Sequence, residues 1–116
     1  MDEIKVAEIL NSRYAVSTED GARIYELVSN SFTKKTDVEI DFENVELIVS
    51  TFLNAAIGQL YGVYTTEYIQ QHLAISNMSN EDLDVLKKVT DRAKTYFADM
   101  KGFDKVFKKH FPDAAE

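Results

Sequence analysis

The chain has no cysteine, no tryptophan, one proline and four glycines in 116 residues. Without cysteine there is no disulfide, no thiolate nucleophile and no Cys-based zinc site. The two histidines, His72 and His110, are too few for a His-rich metal cage. The scarce glycines build no phosphate-cradling loop, so nucleotide binding has no motif to rest on. No apolar run approaches the roughly 20 residues of a membrane helix. Met1 is followed by Asp2 and Glu3 instead of a basic and then an apolar stretch, so no secretory signal is expected and the protein reads as soluble and cytoplasmic. Lys and Arg number thirteen against twenty Asp and Glu, a net charge of -7, which removes the basic face that nucleic acid requires. Neither nucleic acid nor membrane is an expected partner.

What is present is enough apolar material, 45% of residues, for one packed domain that folds alone or with a copy of itself. Ile4–Leu10 is β-branched and partly alternating and predicts an opening strand, with Tyr14-Ala15-Val16 as a short second strand beside it. Ser17 with Asp20 three positions on predicts an N-capped helix running to about Phe32, its stripe formed by Ile24, Leu27, Val28 and Phe32. Gly21 in its first turn is expected to cost little. Val38, Ile40 and Phe42 alternate with Asp37, Glu39 and Asp41, the clearest strand signal in the chain. Turn residues Glu43-Asn44 follow, then an apolar run to Val49, and a helix starting at Ser50-Thr51 with Phe52, Leu53, Ala56, Ile57 and Leu60 on its packed side. Gly58 and Gly62 mark expected close approaches of a neighbouring backbone.

Thr65 or Thr66 predicts the cap of a short helical turn, His72–Ser76 a further strand, and Ser79 the cap of a long helix carrying Leu83, Leu86, Val89 or Thr90, Ala93, Phe97 and Met100. Gly102 is expected to end that helix, which divides the chain into a domain over 1–102 and an amphipathic tail over 103–116. Strands alternating with helices, joined by connections too long for hairpins, predict an α/β (α+β) domain with a small mixed β-sheet flanked by helices.

Candidate chemistry is sparse. Asp37, Glu39 and Asp41 offer hard oxygen ligands to a divalent cation, but no glycine-bearing calcium loop accompanies them, and a solvated strand face explains them as well. His72 and His110 stand in no nucleophile-base or His-Glu-x-x-His pattern. No enzyme activity, metal or cofactor is expected. Ser50 and Thr51, at a helix start just after a strand, suit either a plain N-cap or a phosphate acceptor; a phosphate there would gain from the helix dipole and be opposed by Asp41 or Glu46 if these lay close.

Val38-Glu39-Ile40-Asp41-Phe42-Glu43-Asn44-Val45, followed by Ser50-Thr51-Phe52-Leu53-Asn54-Ala55-Ala56-Ile57-Gly58-Gln59-Leu60-Tyr61, resembles the STAS-like domain of unknown function (DUF4325), as do Asp20-Gly21 upstream and Leu73-Ala74-Ile75-Ser76-Asn77 downstream. Such domains are similar to anti-sigma-factor antagonists. The resemblance implies a bacterial regulatory module that binds a protein partner, often a serine kinase of the histidine-kinase-like ATPase type. It matches Ser50 to the phosphorylated serine of those antagonists and Asp41 to their acidic strand end, and it puts the partner-binding or phospho-acceptor residues at Asp41, Asn44, Ser50, Thr51 and Asn54. Where antagonists carry Asp before that serine and Gly two residues after it, this chain has Val49 and Phe52. An alternative reading, from the net charge, is a small acidic inhibitor or immunity-type protein that covers a basic partner. The chain is expected as a monomer or as a homodimer joined through Phe103, Val106, Phe107 and Phe111.

Overall fold

In the computed structural model the chain is described over the backbone of residues 1–110 and the side chains of residues 1–99. The opening strand is shorter than its composition suggests: β1 covers Asp2–Lys5, and Val6–Leu10 is a helix, α1. Val6, Ile9 and Leu10 fall at i, i+3 and i+4, a helical spacing that the β-branched composition obscures. Asn11, in the left-handed region at φ 49°, stops the helix, and its N–H donates back to the Ala7 and Glu8 carbonyls. β2 (Tyr14–Ala15) pairs not with β1 but with β4 (Leu47–Ile48).

α2 (Thr18–Thr33) begins as expected, with Ser17 Oγ accepting from the Asp20 N–H at 3.0 Å. Ile24, Val28 and Phe32 are buried, while Leu27 is partly covered against them. β3 (Val38–Asp41) is the centre of a three-stranded sheet in the order β1-β3-β5, where β5 is Leu73–Ser76. Both neighbouring ladders are parallel, as is the β2–β4 pair, so the α/β domain carries two small all-parallel sheets with helical crossovers. Ile4, Val38, Ile40, Leu73 and Ile75 share the face that enters the hydrophobic core. Glu3, Lys5, Glu39, Asp41, Ala74 and Ser76 share the other face, on which Glu3, Lys5 and Ala74 remain exposed.

α3 (Ser50–Ala56) starts where expected but ends early and passes into a 3-10 helix, Gly58–Gly62. Close backbone approach occurs at Gly21, not at the two later glycines. A Cβ on Gly21 would lie 2.6 Å from the Phe52 carbonyl oxygen and 2.7 Å from Ala55 Cβ, so the absent side chain is what lets α2 rest on α3. Gly58 and Gly62 instead face side chains, Asn54 and Phe97. Thr65 caps α4 (Thr66–His72), accepting from the Tyr68 N–H at 3.1 Å. Ser79 caps α5, which spans Asn80–His110 and so continues through Gly102. The apolar face expected on Phe103, Val106, Phe107 and Phe111, and the rest of the tail over 103–116, lie outside the residues whose side chains are described. Among the described residues no helix is long and apolar enough to cross a membrane.

Candidate functional site

β2 and β4 end together, and each feeds a helix: β2 leads through Ser17 into α2, and β4 leads through Val49 into α3. On this two-stranded ladder Ala15 and Ile48 point inward and are buried. Alternation therefore turns Tyr14 and its register partner Leu47 outward, where they are 53% and 49% exposed, with Val16 beside them at 40%. An ion pair between Arg13 and Glu46, 3.0 Å apart, closes the start of the ladder.

Ser50 and Thr51 open α3 and are exposed. Neither caps the helix. Val49 occupies the N-cap position in extended backbone, and no side chain accepts from the first turn, so the capping explanation for these hydroxyls does not hold. Phe52 is fully buried in the core, so its bulk is withdrawn from the corner. Val49 is partly covered against the core.

Behind the corner, Ser50, Thr51 and Asn54 of α3 share a cleft of about 630 Å³ with Thr18 of α2, Gln59 of the 3-10 helix, and Arg92, Tyr96 and Phe97 of α5. Asn54 lies against Gly58, where a Cβ would sit 2.5 Å from its Oδ1, and Phe97 lies against Gly62. The Tyr96 and Phe97 rings meet edge-on at 5.1 Å. Sequence reasoning missed Arg92 and Tyr96. Their i, i+4 spacing was the available signal, because it places a cation and an aromatic on one face of an amphipathic helix.

Asp41 and Asn44 do not line this cleft. Asp41, expected on a solvated strand face, is buried, and its Oδ1 accepts from the Glu43 N–H at 2.9 Å and from Asn77 Nδ2 at 2.8 Å. The Asn77 bond, then the Glu43 N–H and then nearby Lys5 hold its carboxyl below the ordinary carboxylate value against the opposing effect of burial. Glu39 accepts from Ser76 Oγ at 2.8 Å, and Asp37 contacts His72 Nδ1 at 2.6 Å. Glu39 and Asp41 of β3 thus tie the central strand to β5 and the residue after it, and Asp37, just before β3, contacts the end of α4. A central strand has neighbours on both sides, which the alternating pattern alone does not reveal. Asn44 holds the turn after β3 at φ 66°, a left-handed conformation that asparagine tolerates. Glu3, Glu39 and Asp41 bring carboxylate oxygens within 4.8 Å of one another, a different trio from the one alternation suggests, with Glu3 in place of Asp37.

Parallel strands feeding helices, with an exposed apolar ladder and a polar cleft just past the strand ends, define a small α/β domain with its candidate surface at one corner. The chain belongs to the family of STAS-like domains of unknown function (DUF4325), whose family model matches residues 20–83. That span runs from the first turn of α2 through Ser50 to the start of α5. No curated protein and no solved structure matches the chain.

Proposed function

We propose that this chain is a non-enzymatic regulatory module that docks a second protein at the corner formed by Tyr14, Val16, Leu47, Ser50 and Thr51. The observation that carries the reading is the outward row of Tyr14, Leu47 and Val16, large apolar side chains left in solvent on a ladder whose other face is buried. Apolar side chains gathered beside hydroxyls suit the centre and rim of a protein interface. The partner class suggested by the likeness to anti-sigma-factor antagonists is an ATPase or serine kinase. The uncapped, exposed Ser50 hydroxyl supports it as the acceptor of a phosphate that would switch docking on or off. The acidic-inhibitor alternative rests on the net charge of -7 alone, and three of the acids, Asp37, Glu39 and Asp41, are bonded to His72, Ser76 and Asn77.

A photo-crosslinker placed at Leu47, with a control at Glu3 on the open sheet face, tests the docking surface. A single stoichiometric product from Leu47 only, and an affinity for that partner at least tenfold weaker in Leu47→Asp, are expected; equal products from both positions or unchanged binding would overturn it. Intact mass after incubation with ATP and the captured partner tests the switch, which fails if Ser50 and Thr51 gain no phosphate.

A further inference from the structure

We propose that the cleft between α3 and α5 is a binding site for a small organic anion, a carboxylate or phosphate ester carried on an apolar body. Its volume of about 630 Å³ is that of an ordinary ligand cleft. It lies beyond the carboxyl ends of parallel strands β2 and β4, the place where open α/β sheets receive ligands. Among the described residues Arg92 is the only charged one that lines it. In a chain of net charge -7, no carboxylate among the described residues faces this guanidinium from the cleft wall.

The other arginines are engaged, Arg13 with Glu46 and Arg23 with Asp20, and Asp91, adjacent to Arg92 in sequence, is held by Lys87 at 2.9 Å. Among the described residues Arg92 makes no salt bridge, so its fork of donors is open to an oxyanion. Asn54 and Gln59 add amide groups, and Tyr96 and Phe97 supply an aromatic wall for the apolar body. The nearby acids do not forbid an anion here, because Asp91 is paired with Lys87 and Asp20 with Arg23, while acids farther off than about 8 Å are screened at physiological ionic strength.

The test is a titration of the full-length chain followed by amide NMR shifts, with phenylacetate, phenyl phosphate, inorganic phosphate and benzyl alcohol as probes. Saturable shifts centred on Thr51, Asn54 and Ala93 are expected with the two aryl anions, at least tenfold tighter than with inorganic phosphate or benzyl alcohol. The stronger of the two identifies the oxyanion. Arg92→Gln should weaken aryl-anion binding at least tenfold, and Tyr96→Ala should weaken both aryl anions alike; both side chains are exposed, so the fold is retained. Leu47→Asp, expected to weaken protein docking at the corner at least tenfold, should leave the titration unchanged, so the two readings fail separately. Absence of saturable shifts at the cleft, equal binding of benzyl alcohol, or unaltered affinity in Arg92→Gln would overturn the proposal.

Discussion

Replacing Gly21 with alanine sets two opposed effects against each other. Alanine is favoured over glycine inside a helix by about 1 kcal/mol, so on propensity alone the substitution stabilises α2. The new methyl group, however, would lie 2.6 Å from the Phe52 carbonyl oxygen, 2.7 Å from Ala55 Cβ and 3.2 Å from the Ala56 nitrogen. Two of these atoms are backbone and the third is the first atom of a side chain, so none can rotate away, and the helices must separate. Forced repacking of this kind costs about 3 kcal/mol at the upper end of the usual range, which leaves a net loss of about 2 kcal/mol. At about 4 °C per kcal/mol for a domain of this size, the melting temperature falls by about 8 °C. The same substitution at Gly58 meets Asn54 Oδ1 at 2.5 Å, the far end of a side chain that can turn aside. At Gly62 it meets the edge of the Phe97 ring at 2.6 Å. Thermal unfolding of the three alanine variants should therefore rank Gly21 as the most damaging, Gly62 next and Gly58 near neutral. A Gly21→Ala variant as stable as the parent, or less perturbed than Gly58→Ala, would refute the account of how α2 seats on α3.

Phe52→Gly empties a fully buried site and should cost upwards of about 4 kcal/mol, leaving a largely unfolded chain by circular dichroism. Ser17→Ala removes a cap bond and should lose about 1 kcal/mol in urea unfolding, whereas Ser50→Ala should stay within about 0.5 kcal/mol because no such bond exists there. Asp41 titrates in the folded state below its ordinary value of 3.8, so its contribution is complete above that pH and lost as pH falls through the folded value. Asp41→Asn should accordingly lower stability at pH 7 and flatten the acid limb of the stability curve, both read from melting temperatures between pH 2 and 7.

The elements with local signatures were legible in the sequence. Ser17, Thr65 and Ser79 each accept the expected N–H, because capping needs only residues three apart. The alternation through Val38, Ile40 and Phe42 gave the central strand for the same reason. The resemblance resting on the Ser50–Tyr61 segment led to the right family. What escaped was decided by distant neighbours. Whether Tyr14 pairs with β1 or β4, whether Asp41 meets water or Asn77, and whether Gly21 or Gly58 sits against backbone depend on chain segments more than 25 positions apart. The cleft was illegible for the same reason, since Arg92 and Asn54 come to line one cleft only when α5 lies across the 3-10 helix.

The way α5 is seated also fixes the order in which the molecule comes apart. Its main supports are the 3-10 helix and α3, and Val89 is its one buried side chain in the principal apolar cluster among the described residues. Peeling it off leaves β1, β3 and β5 clamped beneath α2, so the helix forms an outer shell with its own, lower opening energy. Amide exchange over residues 80–99 should then run ahead of exchange in β3. Any molecule lodged under Arg92 would act as a latch, slowing α5 while the sheet beneath stays as it was.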